Sequence, residues 1–177
     1  MVDIRQKVED DQGLLKKLQK AIPGYRGYRI RDDLRDSDKM LRGELAKRMA
    51  LQRKQVEECR MDMIRSAPMS RNLEAIGGVI MQFKKVEGLL YHAELGYSGI
   101  GADIQIKADE LNQMYDYDNS MLENIAFMDQ GISELRVAVS GRQEDKVSMA
   151  ISDVRMRLSG FEEKFQRRLA TIQGIGV

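Results

Sequence analysis

The chain predicts an all-α fold, an elongated antiparallel bundle of four to five helices, and three observations carry that expectation. Apolar residues recur at spacings of three and four along long segments, the signature of one helix face turned inward. The two prolines, Pro23 and Pro68, both fall between those segments, where a missing amide donor and a restricted preceding residue end helices. Strand signals are nearly absent: Ile104-Gln105-Ile106 alternates, but three residues cannot found a sheet.

A short first helix is expected from about Ile4 to Ala21, before the turn marked by Pro23, Gly24 and Gly27. A long second helix runs from about Asp32 to Ser66. Its apolar positions are Leu41, Leu45, Met49, Val56, Cys59 and Met63, with Gln52 falling in the same rhythm. The third, from about Arg71 to Leu95, carries Leu73, Ile76, Ile80, Phe83 and Leu90, widened by Val79, Val86 and Leu89. A stripe that broad faces neighbours on two sides, so this helix is expected to be the most buried. The fourth, Asp109 to Val139, keeps an unbroken register through Leu111, Met114, Met121, Ile125, Met128, Ile132, Leu135 and Val139, with Asp118 as its polar interruption. The fifth, Arg142 to Ile172, repeats Val147, Ile151, Val154, Leu158, Phe161 and Phe165. Ser140 with Gln143 has capping-box spacing, and Ser70 is placed to cap the third helix. Glu144 and Asp145 put acids at the positive end of the fifth helix's dipole. Short turns between long amphipathic helices imply an up-down bundle, coiled-coil-like in its packing, with residues 1–177 as one domain.

Composition narrows the function classes. The chain has 177 residues, 42% of them hydrophobic and 32% charged, which suits a globular domain with a high surface-to-core ratio. The longest apolar run, Ala75 to Met81, falls far short of the roughly 20 residues that cross a bilayer. No basic stretch followed by a greasy core opens the sequence, so a cytoplasmic protein is expected. A single cysteine excludes an internal disulfide, and a single histidine excludes most zinc sites and a paired Glu-x-x-His di-iron centre.

Charge is segregated although the total is only +1. Residues 22–54 hold ten Lys or Arg against five Asp or Glu, while residues 103–145 hold three against ten. Either helices two and four lie side by side and their flanks pair, or opposite poles face solvent and recruit partners. The near-neutral total argues against a generic nucleic-acid binder.

The most unusual stretch is Pro23-Gly24-Tyr25-Arg26-Gly27-Tyr28-Arg29-Ile30-Arg31. Tyrosine rings stack on bases and guanidinium groups fork onto phosphates, so Tyr25, Arg26, Tyr28, Arg29, Arg31 and Arg35 are candidates for a partner- or anion-binding surface. The same residues also make a packed structural turn, with rings against helix ends and arginines laid over them. The spacing is not that of a phosphate-cradling loop.

This stretch, with Arg31-Asp32-Asp33-Leu34-Arg35-Asp36 and Asp38-Lys39-Met40-Leu41-Arg42 after it, resembles an uncharacterised family of prokaryotic helical proteins with a Pro-Gly-Tyr-Lys-Gly-Tyr turn. Gly96-Tyr97-Ser98-Gly99 and Met114-Tyr115-Asp116-Tyr117-Asp118 extend the likeness to about half the chain. Arg26 and Arg29 stand where the family has lysine, and Ser37 where it has alanine. The resemblance implies a helical fold and a bacterial or archaeal cytoplasm, and no activity.

Two further residues invite chemistry. Asp118 interrupts an apolar stripe, and a buried carboxylate needs a donor. Tyr25, Tyr28 and His92 are the candidates, which would make Asp118 and His92 structural polar anchors for the turn. Cys59 lies on an apolar stripe and reads as a small hydrophobe, and the twelve methionines read as core filler or an adaptable groove. No nucleophile sits in a catalytic setting, so no catalytic, metal or cofactor residues are expected. The reading is a non-enzymatic interaction or scaffold protein, self-associating or bound to a protein partner. The alternative is a binder of RNA, of an anionic lipid head group or of another phosphate-bearing ligand through residues 25–31.

Overall fold

The computed structural model describes residues 4–27, 31–93 and 108–174. They form five helices, α1 Ile4–Ala21, α2 Arg31–Ser66, α3 Asn72–His92, α4 Ala108–Ser140 and α5 Glu144–Gly174, with no strand among them. The Ile104–Ile106 alternation lies outside the described residues, as do Tyr28, Arg29 and the Gly96–Gly99 stretch.

Helices α2 to α5 close a four-helix bundle, since α2 packs on α3 and α4, and α5 packs on the same two helices. Each hairpin is antiparallel because only a few residues join its helices. The two hairpins, however, lie parallel to each other. On the α2–α4 seam Gln52 meets Ile125 and Asp129 while Glu58 meets Arg136, so numbers rise together. Across α3–α5, Gln82 meets Ser159 and Lys85 meets Glu162 in the same sense. This leaves α2 diagonally opposite α5, and α3 opposite α4. The long helices, at 1.5 Å per residue, give a rod of roughly 45–50 Å.

The apolar rhythm is the core. Every stripe residue of α2 from Leu41 to Met63 is buried, as is every one of α5 from Val147 to Phe165, and the α4 set is buried from Met114 to Val139. Helix α3 does face neighbours on two sides, α2 and α5, and a third of its residues are buried, the same share as in α4. Helix α1 lays Leu18 against the bundle and packs on α4, giving α4 a third neighbour where α3 has two.

Two tight turns close one end, and their capping differs from the sequence expectation. Ser140 remains inside α4, its hydroxyl donating back to the Arg136 carbonyl at 2.9 Å, so the capping box does not form. Arg142, at φ 53°, reverses the chain instead. Ser70 does accept the Asn72 amide at 3.2 Å, although Arg71 occupies the cap position. Glu144 then ties the turns together, accepting from Ser70 Oγ at 2.8 Å and from Asn72 Nδ2 at 3.0 Å. Helix α3 stops at His92, before the expected Leu95, because Ala93 is extended.

Candidate functional site: a buried charge cluster and an outer groove

The end of the bundle opposite those turns gathers four of the described buried polar residues, Ser37, Asp38, Asp118 and Arg168. Arg168, in the last turns of α5, is fully buried and reaches two helices at once. Its Nε donates to Asp118 Oδ1 on α4 at 2.6 Å, and its Nη1 donates to Asp38 Oδ1 on α2 at 2.5 Å. Both carboxylates are fully buried as well. Tyr25 Oη donates to the second Asp118 oxygen at 3.0 Å. Arg42 Nε donates to the second Asp38 oxygen at 2.8 Å, while its Nη1 bonds the Leu90 carbonyl near the end of α3. One guanidinium fork thus joins α4 and α5 to the opposite helix α2, and the second arginine adds α3. Two aspartates and two arginines sum to zero charge, and each carboxylate has charge-assisted donors on both oxygens, the condition under which burial is tolerated.

The turn before α2 is locked onto the same cluster. Gly24 and Gly27 both adopt φ +86°, a region that side chains with a Cβ avoid. Ser37 Oγ donates to the Gly27 carbonyl at 2.9 Å, and a Cβ on Gly27 would stand 2.5 Å from Tyr115 Oη. The backbone therefore runs close against the Tyr115 hydroxyl and the Leu15 side chain, where a Cβ would collide.

The sequence candidates divide accordingly. Tyr25 is 2% exposed, which removes its ring from any stacking surface and makes it a donor to Asp118. Arg26 and Arg35 are exposed, while the side chain of Arg31 and the whole of Tyr28 and Arg29 lie outside the described residues. Asp118 is buried in the cluster, but His92 is exposed at the end of α3 and takes no part in it. The cluster members outside the sequence candidates are Asp38, Arg42 and Arg168. Asp38 and Arg168 continue the apolar registers of α2 and α5 at charged positions. Phe165, Arg168 and Ile172 keep the α5 spacing, and Leu34, Asp38 and Leu41 keep that of α2.

The segregated charges do sit on adjacent helices, and several of the basic residues of α2 bond acids of α2 and α3. Arg48 and Arg53 of α2 bond Glu44 and Glu57 one turn away, and Arg53 also bonds Glu87 of α3. One ion pair between α2 and α4, Glu58 with Arg136 at 3.0 Å, puts the acid on α2 and the base on α4. Gln52, in the α2 core register, donates to the Ile125 carbonyl and to Asp129, both at 2.8 Å. Cys59 is buried, and burial pushes its thiol pKa up although Arg136 acts in the opposite sense.

Outside, the α4–α5 hairpin carries a groove of about 730 Å³ beside its turn. Ala138, Gly141 and Ala150 line it with small groups, and Val137 and Met149 stand at its sides, 71% and 72% exposed. Glu134 and Lys146 sit on its rim, as does Asp153, which is held by Arg157 at 2.6 Å. Among the described residues no group of three or more His, Cys, Asp or Glu is arranged to hold a metal ion. No described helix is long and apolar enough to cross a membrane.

No protein-family model matches the chain, and comparison with curated proteins and with solved structures finds no significant similarity.

Proposed function

We propose that this chain is a non-enzymatic interaction or scaffold protein of the prokaryotic cytoplasm, a rigid rod that docks protein on its outer helix faces. The observation that carries the reading is the pair Val137 and Met149, more than two-thirds exposed on well-packed helices beside an apolar groove. Large apolar side chains kept in water beside an apolar recess form a contiguous patch of the kind at which proteins contact one another. The buried cluster supports the same reading from inside. Its carboxylates and guanidinium groups are matched in charge, bonded to one another and shielded from solute, so they hold helices rather than turn over a substrate.

The test is photo-crosslinking in cells from a reactive residue placed at 149, with exposed Lys84 of α3 as the comparison position. Defined protein adducts from 149 and none from 84 are expected. Equal, diffuse labelling from both positions would contradict docking on this face.

The phosphate-binding alternative rests on the exposed Arg26 and Arg35. It requires binding of a labelled single-stranded RNA that falls steeply with added salt and is lost in an Arg26→Glu, Arg35→Glu variant. The interaction reading expects neither.

A further inference from the structure

We infer that the α4–α5 groove is a self-complementary interface that receives a second copy of this chain across a two-fold axis; this rests on the interaction reading and names its partner. The patch contains both halves of a contact. Val137 and Met149 are protruding apolar knobs, and Ala138, Gly141 and Ala150 supply a recess without side-chain bulk. A surface that carries its own knob and its own hole is what an isologous contact needs, because the same patch must serve both sides.

The rim charges have matching symmetry. At 1.5 Å per residue, Lys146 lies near the turn, about 3 Å into α5, whereas Glu134 lies about 10 Å back along α4. Val137 and Met149 fall between these two levels. A two-fold axis lying in the contact plane, oblique to the helices and passing between the two apolar side chains, exchanges α4 with α5 and the turn end of the groove with its deep end. Lys146 of each copy then faces Glu134 of the other, twice per dimer. Neither charge has a cross-helix ion pair, and Glu134 takes only the Gln130 amide one turn away. Asp153 adds no net charge, because Arg157 neutralises it. The balanced rim offers no single sign to attract a strongly acidic or basic partner, which favours a copy of itself over a charged helix from another protein.

Sedimentation velocity over a concentration series of the full chain tests this, with circular-dichroism melts to verify that each variant is folded. All positions changed are on the rim or exposed, so the fold is expected to survive. The wild-type chain is expected to dimerise reversibly, and Met149→Lys to abolish the dimer. Lys146→Glu and Glu134→Lys are each expected to weaken it about tenfold or more, and the double exchange in one chain to restore it. Met81→Lys, on the exposed side of α3, leaves it unchanged. A wild-type chain monomeric at about 500 µM overturns the inference, as does a dimer indifferent to Met149→Lys. A dimer lost in both single exchanges and not regained in the double overturns the two-fold arrangement. Crosslinks from position 149 separate this failure from that of the wider reading. A monomer with adducts to a different protein removes the second copy alone, and a monomer without defined adducts removes both.

Discussion

Arg168 Nη1 lies 2.5 Å from Asp38 Oδ1, with both side chains fully buried, and this contact joins the end of α5 to the beginning of the diagonally opposite helix α2. Opposite corners of a four-helix bundle are separated by its core, so a bond between them crosses the interior. The same guanidinium holds Asp118, so one side chain sets the register of three helices. Replacement by lysine keeps the charge and removes the fork. Arg168→Lys is expected to lower unfolding stability by about 1.5–3 kcal/mol in urea titrations, because one carboxylate loses its charge-assisted bond.

Tyr25 reaches the cluster from the turn, and its hydroxyl completes the second oxygen of Asp118. Tyr25→Phe keeps the ring and removes that donor. It is expected to cost about 1.5–3 kcal/mol, and to cost much less in an Asp118→Asn background. Equal losses in the two backgrounds would show that the hydroxyl is not coupled to the carboxylate.

The fold and the cluster were unequally legible in the sequence, for one physical reason. Helix periodicity depends on many apolar residues agreeing, so the α2, α4 and α5 stripes placed those helices within a residue or two of their ends. Asp118 was visible as an interruption because apolar residues flank it in register on both sides. Asp38 and Arg168 sit near the ends of their stripes, where a charged residue reads as the edge of the pattern. Three stripes broken by two acids and a base near one end of a bundle are a recognisable signal for a buried ion network. The topology was the missing piece, because antiparallel hairpins alone do not say which corners face each other. His92 shows the limit in the other direction, since proximity to the end of α3 did not turn its ring inward.

Glycine positions divide by backbone geometry. Gly27 has φ +86° with Tyr115 Oη in the path of a Cβ, whereas Gly43 is exposed within α2 with nothing within 4 Å of a Cβ. Gly27→Ala is expected to destabilise by about 1–3 kcal/mol, and Gly43→Ala to stabilise by about 0.5–1 kcal/mol. Thermal melts of the two variants should move in opposite directions.

Cys59 gives a pH dependence with a definite sign. Burial raises its thiol pKa in the folded chain, so the folded state holds that proton at pH values where the unfolded chain, near the ordinary thiol value of about 8.5, has released it. The thiol's contribution is fully present below about pH 8.5 and declines as pH rises through the folded value. A Cys59→Ala variant should show a flatter stability profile between about pH 8 and 10. A disulfide exchange reagent at pH 8 should label the native thiol far more slowly than the urea-unfolded one.

The buried ion network locks one end of the bundle, and a double-mutant cycle on Asp38 and Arg168 reads that lock. Asp38→Asn, Arg168→Met and the double variant are compared by urea unfolding. The double variant is expected to lose less than the two single losses together, by about 1–2 kcal/mol, because each single change takes one charged partner from the other residue and leaves the buried cluster one charge out of balance. Losses that add within about 0.5 kcal/mol would mean that the two residues stabilise the chain independently, and would contradict the lock.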